Sequence, residues 1–473
     1  MAKVIKDVIE QSGIAFGTSG ARGLVEQFDN DVCAAFTAAF LSVMREHGEV
    51  SQVAIGLDRR PSSPGMAAAC SATARALDIE VSDYGVLPTP ALALQAMADG
   101  VPAIMITGSH IPFDRNGIKF YRPEGEITKA DEQAIMQVAE ELPMLGIIER
   151  EPENEAANRR YLSRYSEWFS GQPLNGLRIG LYQHSAAGRD LNQAVLKALG
   201  AEVVVLGRSE QFVPIDTEAV SSEDRIKGRD WARQYQLDAL LTTDGDGDRP
   251  LMADEQGNWL RGDIVGLLCA RELGIEALAV PVSCNTAIET CGVFDQIERT
   301  RIGSPYVLSA MECLAGKYSR VAGFEANGGF LLGTALIEKE KRLDALPTRD
   351  ALLPALTLMV ASARNGKALS ALAEEIPKRY TASDRLKNFP TDRSKFLLAQ
   401  WQENLAVMQQ ALGFKHAIIK VDTTDGLRVT FDNGDILHFR PSGNAPELRC
   451  YAEANTQKEA EAMVVNVLQK ARK

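Results

Sequence analysis

Short apolar runs recur along the first three quarters of the chain, and most lead into stretches whose apolar residues fall at helical spacing. VAIGL (53–57) precedes SPGMAAACSATARALD, and IEVSDYGV leads to a Pro-Thr-Pro turn at 88–90 before ALALQAMADG and PAIMITGS. The pattern returns at LRIGLYQ (177–183), LNQAVLKALG and AEVVVLG, then at LDALLTTD, and after residue 263 at ALAVPVS and YSRVAGFE. Uninterrupted apolar strands are those covered on both faces. Their alternation with helices predicts three α/β layers with mainly parallel cores.

Three polar segments interrupt this pattern: EREPENEAANRRY (149–161), DEQGNWLRGD (254–263) and IPKRYTASDR (376–385). They divide the chain into expected units at 1–150, 151–262, 263–375 and 376–473. The last changes character. Short alternating runs flank turn signals at Asp425-Gly426 and Asn433-Gly434 and end in a helix rich in Ala, Val and Lys, which predicts a small α+β unit. Four units agree with 473 residues, too many for one growing core.

Composition narrows the class. A formal net charge of −12 disfavours nucleic acid as the principal partner, because that binding needs clustered Lys and Arg. A small anion remains compatible, held in a locally basic pocket. The seven cysteines form no CxxC pair and nearly all lie in apolar runs, which reads as buried thiols in a reducing compartment. With no apolar leader pattern and no run approaching 18 uncharged apolar residues, the expectation is a cytoplasmic protein without a membrane partner.

The most informative segment is LLTTDGDGDRP, where Asp244, Asp246 and Asp248 alternate with glycines just after an apolar strand. Three adjacent carboxylates repel unless a cation neutralises them, and glycine lets the backbone fold tightly around it. An EF-hand loop would also place Asp at its first, third and fifth positions, with Glu255 at the twelfth. Its required sixth-position Gly is Arg249 here, however, and Pro250 follows. A solvated acidic turn is the plainer alternative. Three carboxylates leave coordination open for a phosphate oxygen, which suits magnesium.

AIMITGSHIPFDRNGIKFY places Ser109 in a turn after an apolar strand, with His110 and Lys119 nearby as a hydrogen-bonding group and a proton carrier. FGTSGARG (16–23) is Gly- and hydroxyl-rich with one cation, Arg22, and reads either as an anion loop or as a plain turn. GFEANGG (323–329) offers Glu325 and Asn327 in a Gly-rich turn, groups that suit sugar hydroxyls. FRPSGNAPELRCYAE clusters Arg440, Ser442, Gly443, Asn444 and Arg449, a composition that fits either a phosphate cradle or a surface ion-pair cluster.

In this order the segments resemble the α-D-phosphohexomutase superfamily, in particular its bacterial phosphomannomutase and phosphoglucomutase branch, over essentially the whole chain. The resemblance implies four domains around a central cleft, three related α/β domains with mixed sheets and a C-terminal TATA-binding-protein-like α+β domain. The implied activity is interconversion of hexose 1-phosphate and hexose 6-phosphate through a phosphoserine and a bisphosphorylated sugar, with mannose as the sugar. The alternatives are glucose or glucosamine phosphates, or a non-catalytic sugar-phosphate-binding protein. Ser109 becomes the phosphoserine, joining Asp244, Asp246 and Asp248 around Mg²⁺, with hexose 1,6-bisphosphate as activator. Arg22, His110, Lys119 and Arg249 take catalytic places, with Lys119 as acid/base. Glu325 and Asn327 face the sugar, and Arg440, Ser442, Gly443, Asn444 and Arg449 hold its existing phosphate. The expected assembly is a monomer or homodimer. This chain departs from the family pattern at Ile111, Phe324, Asn327 and Asn444, and TRIGSPYV (300–307) offers Ser304 and Pro305 where the family often has a His or Lys.

Overall fold

The computed structural model describes residues 3–17, 20–442 and 446–472. Among the described residues the strands form four main sheets, drawn in turn from residues 15–126, 178–253, 277–350 and 380–454, plus the hairpin Leu336–Glu338/Lys341–Leu343.

The first three sheets share one topology. In the first, Gln52–Leu57 lies between Glu80–Val86 and Ala103–Ile106, both parallel to it, and Arg115–Arg122 adds antiparallel beyond Ala103–Ile106. In the second, Arg178–Tyr182 lies between Glu202–Leu206 and Ala239–Thr243, and Pro250–Ala253 adds antiparallel. In the third, Ala277–Pro281 lies between Gln296–Thr300 and Val321–Phe324, and Phe330–Leu332 adds antiparallel. The expected parallel cores are therefore present, each extended by antiparallel strands. The mixture follows from connection length: helices cross between the parallel strands, whereas the third and fourth strands are joined directly by a loop.

That loop carries the candidate site residues. Ser109 follows Ala103–Ile106, Asp244 follows Ala239–Thr243, and Glu325 follows Val321–Phe324. All three strands are buried along their whole length. Continuous apolar side chains sink each strand into its layer, so polar residues first become possible where the strand ends. Three equivalent loops are thereby aimed from three layers at one region.

The fourth sheet is wholly antiparallel, in the order Tyr380–Leu386, Leu448–Ala454, Ile436–Pro441, Leu427–Phe431, Ile418–Asp422. Its core packs Trp401 and Phe439 against Val464 and Leu468 of the final helix Gln457–Ala471. Two expected breaks are shorter than the polar composition implied. The helix Ala156–Trp168 begins inside 149–161, because Tyr161, Tyr165 and Trp168 recur at helical spacing on a buried face. Tyr380–Leu386 occupies much of 376–385 as an edge strand, whose outer side tolerates polar residues.

One buried histidine makes this sheet sensitive to acid. His438 Nε2 donates to the Asp425 carbonyl at 2.5 Å, and Nδ1 is buried without a partner among the described residues. Burial pushes its pKa down from 6.5 to about 4, against the opposing pull of that carbonyl. Between the two values the unfolded chain binds a proton that the folded chain refuses. This contribution is therefore complete above the unfolded value and declines as pH falls toward the folded one, by roughly 3 kcal/mol in all. Urea midpoints of wild type and His438→Gln at neutral and mildly acidic pH check this: the wild type loses more stability on acidification than the variant.

Candidate active site

The loop holding Ser109 is built around an arginine. Arg60, 1% exposed, donates from Nη1 to the carbonyls of Pro112 (2.8 Å) and Arg115 (3.0 Å) and from Nη2 to those of Ser109 (2.9 Å) and Ile111 (2.6 Å). Its Nε donates to Asp58 at 3.1 Å, and its face lies 4.0 Å from the Phe212 ring centroid. Gly108 is needed beside it, since a Cβ there would lie 2.6 Å from the guanidinium carbon. Ser109 itself has φ 55°, in the left-handed region, and its N–H donates to Thr107 Oγ1 at 2.8 Å. Arg60→Met strands the buried Asp58 charge and four carbonyls, so we expect a loss on the order of 3–5 kcal/mol. Thermal melting measures that loss, and faster amide exchange across 108–116 locates it.

Ser109 Oγ donates to Asp244 Oδ2 at 2.6 Å, which joins the loops of the first and second sheets. The approach needs Gly245, where a Cβ would lie 2.7 Å from the Ser109 carbonyl oxygen. Gly247 has φ +72° and stands against Pro88. The alternating glycines thus serve loop-to-loop contact as well as the turn. Asp244, Asp246 and Asp248 are all at most 1% exposed, and a ligand oxygen from each lies within 4.8 Å of the others. Asp246 Oδ2 accepts from Lys119 (2.5 Å) and Thr89 Oγ1 (2.7 Å), and Asp248 Oδ2 from Lys119 (2.8 Å) and Arg349 Nε (3.0 Å). The other oxygens, Asp246 Oδ1 and Asp248 Oδ1, are buried without a hydrogen-bond partner among the described residues. Unpartnered buried carboxylate oxygens in a triad are the donor set of a hard divalent cation, so the residues present fit a metal.

Electrostatics set the three carboxylates apart. Burial, then Asp246 and Asp248, push Asp244 well above the usual carboxylate range. Burial acts upward on Asp248 too, but Arg349, Lys119 and Arg249 together hold it far below that range. His110 is held well below its ordinary value by burial and then by Arg249. The geometry agrees, since Arg249 Nη1 donates to His110 Nδ1 at 2.7 Å, which requires a neutral ring.

Ser109 and the aspartates lie behind a cavity of about 420 Å³ whose wall includes Arg22, His110, Arg249, Glu325, Asn327 and Arg349. Burial, with Arg249 adding to it and Asp246 opposing, lowers the Arg22 pKa to about 10. Asn327 Oδ1 accepts from the Gly329 N–H at 2.9 Å and so shapes the loop that holds Glu325.

The C-terminal sheet closes the other side of the cavity. Arg385, Arg449 and Arg440 are direct cross-strand partners on three adjacent strands, and all three line the cavity with Lys387 and Ser442. Asp425 lies 3.3 Å from Arg440, and Glu447 lies 3.4 Å from Arg385 and 3.9 Å from Arg449, so these carboxylates offset the like-charge repulsion in part and the ladder still suits an anion. Gly443 and Asn444, and Thr18 and Ser19 of the Arg22 loop, lie outside the described residues. Lys119 does not line the cavity; it stands on the strand Arg115–Arg122 beside the acidic loop. Ser304 donates to Glu126 at 2.6 Å, which commits it to a contact between the first and third sheets' segments.

The sequence reading missed Arg60, Arg349, Arg385 and Lys387. A signal existed for the first two: each is a charge paired with a nearby Asp at or within an apolar strand, in GLDRRP and LPTRDALL.

Three α/β layers of one topology presenting a serine, an acidic triad and a Glu-bearing loop, closed by an arginine-rich α+β unit, define a phosphosugar-mutase architecture. Comparisons with known proteins make the assignment specific. Models of the phosphoglucomutase/phosphomannomutase family match alpha/beta/alpha domain I at residues 13–144, alpha/beta/alpha domain III at 261–380 and the C-terminal domain at 386–470. A phosphomannomutase of Salmonella muenchen is 54% identical over 463 residues, covering 98% of this chain and 96% of that one. A phosphomannomutase of Sinorhizobium fredii is 43% identical, covering 96% and 98%. The crystal structure of a phosphoglucomutase/phosphomannomutase family protein from Burkholderia thailandensis superposes with TM-score 0.76 at 21% identity, covering 96% of each chain. The chain belongs to the phosphoglucomutase/phosphomannomutase family.

Proposed function

We propose that this protein interconverts mannose 6-phosphate and mannose 1-phosphate, with Ser109 carrying the phosphoryl group between the two positions. The observation that carries the reading is the 2.6 Å hydrogen bond from Ser109 Oγ to Asp244, which sets a candidate nucleophile against a metal-fitting triad. Both relatives reported above are phosphomannomutases, and their similarity covers 98% and 96% of this chain.

Asp244, Asp246 and Asp248, with an oxygen on Ser109, would hold Mg²⁺, which when bound supplies charge neutralisation at the phosphate. In the first half-reaction the P–O bond to Ser109 Oγ breaks as a bond forms to the free sugar hydroxyl. Lys119 gives a proton to Ser109 Oγ and takes one from that hydroxyl. Arg22 and Arg249 face the negative charge on the moving group. Arg385, Arg440 and Arg449 grip the phosphate already on the sugar, with Ser442, Gly443 and Asn444, and Glu325 orders the hydroxyls between. After the bisphosphorylated sugar turns round, its other phosphate returns to Ser109, so atoms and charge balance over the cycle. A hexose 1,6-bisphosphate therefore also serves to charge unphosphorylated enzyme. His110 and Arg249 line the cavity and Ser109 does not, so in this scheme the Arg249–His110 hydrogen bond opens for sugar to reach Ser109.

The sugar is tested by kcat/KM on mannose, glucose and glucosamine 1-phosphates with purified protein. Mannose phosphate leading supports the reading, and a glucosamine phosphate leading refutes the sugar while leaving the relay intact.

A further inference from the structure

Arg349 stands on the strand Leu346–Asp350 of the third sheet, with its side chain 1% exposed, yet it lines the cavity. Nε donates to Asp248 Oδ2 at 3.0 Å and Nη1 to Glu325 Oε2 at 3.2 Å. One guanidinium therefore ties the acidic loop of the second sheet to the Glu-bearing loop of the third. Its remaining nitrogen, Nη2, is buried and has no hydrogen-bond partner among the described residues. A charged donor left unsatisfied costs more than a neutral one, and an orphan of this kind marks a place where a partner is expected.

The fork is also rigidly placed. Two carboxylates from different loops fix its plane, and Gly329 clears its path, because a Cβ there would lie 2.7 Å from the Arg349 Cγ and Cδ. Charge neutralisation of Asp248 alone does not account for it, since Lys119 already donates to the same oxygen at 2.8 Å and Arg249 lies 3.6 Å from the other. A guanidinium has only donors to offer, and its geometry matches phosphoryl oxygens.

We propose that Arg349 is a substrate-contacting residue whose Nη2 donates to an oxygen of the phosphoryl group passing between Ser109 and the sugar. This rests on the phosphoserine relay proposed above. Asp248 and Glu325 hold the fork in position before sugar arrives, so the donor needs no reorganisation when charge develops on the moving group.

The test is single-turnover transfer from phosphorylated Ser109 to mannose 1-phosphate by rapid quench, with the starting phosphate counted by intact mass. Wild type, Arg349→Ala and Arg349→Lys are compared, and Mg²⁺ affinity and thermal midpoint are measured on each. Transfer is expected to slow about a hundredfold in Arg349→Ala, as on loss of one preorganised donor. Free guanidinium at millimolar concentration is expected to restore part of it. Arg349→Lys keeps the stem and the charge but loses the fork, and it stays slow while holding wild-type Mg²⁺ affinity. The proposal is overturned by wild-type transfer in either variant, or by slowing that guanidinium does not relieve and that follows weakened Mg²⁺ binding. Wild-type protein that never carries phosphate on Ser109 overturns the relay itself, and this role with it.

Discussion

Ser109→Ala protein is expected to fold normally and to lose turnover by a factor on the order of 10⁴ or more, the scale seen when a covalent nucleophile is deleted. The substitution removes one hydroxyl with its hydrogen bond to Asp244 and a longer 3.4 Å contact to His110 Nδ1, so its structural cost is small. Among the described residues, neighbouring hydroxyls are poor substitutes. Thr107 Oγ1 donates to Asp58 and accepts from the Ser109 N–H, and Thr243 Oγ1 donates to the Asp244 carbonyl. Thr89 Oγ1 is committed to Asp246, to which it donates at 2.7 Å from the buried start of its helix. A coupled assay on pure Ser109→Ala protein, with circular dichroism to verify the fold, measures the effect. Turnover within tenfold of wild type would refute the covalent scheme.

Asp248→Asn is expected to damage both fold and reaction. One buried carboxylate meets Lys119 at 2.8 Å and Arg349 at 3.0 Å, and Arg249 at 3.6 Å. Neutralising it leaves buried cations uncompensated, a loss on the order of 3–5 kcal/mol, because breaking one member of a buried pair costs more than the pair's net worth. It also removes a metal-fitting oxygen and disorients the Arg349 fork, so turnover is expected to fall at least a hundredfold. Chelation separates the two effects. Wild-type protein treated with EDTA is expected to lose turnover while the three aspartates keep their protein contacts, and added Mg²⁺ to restore it. Thermal melting and turnover, measured on the variant and on chelated wild type, give the four numbers required.

The sequence made the strand ends legible and left the tertiary contacts obscure. VAIGL, AIMI, LLTT and VAGF lie on strands because a continuous apolar run has to be covered on both faces, and the polar groups just after them had to form the site. Ser109 and the aspartates could therefore be singled out as strand-end candidates, while their proposed roles came from the resemblance that the collinear motifs carry. Arg349 could not, because its meaning depends on Asp248 a hundred residues upstream and on a different sheet. The ladder of Arg385, Arg449 and Arg440 was likewise only half visible. Arg440 and Arg449 flank a recognisable glycine loop, whereas Arg385 joins them only through the pairing of Tyr380–Leu386 with Leu448–Ala454. That pairing was hidden because the edge strand is polar enough to read as a break. The glycines of DGDGD were read as serving an ion. Two of them also admit the Ser109 loop and Pro88, a packing reason that spacing alone does not reveal.

The account turns on whether Ser109 carries the phosphoryl group. Intact mass and peptide mapping of the purified protein, after incubation with Mg²⁺ and a hexose 1,6-bisphosphate and again after addition of mannose 1-phosphate, measure this directly. One added phosphate is expected, mapped to Ser109, that persists through turnover as mannose 6-phosphate accumulates. Mannose 6-phosphate formed while Ser109 remains unmodified, or a phosphate mapped to another residue, would contradict it.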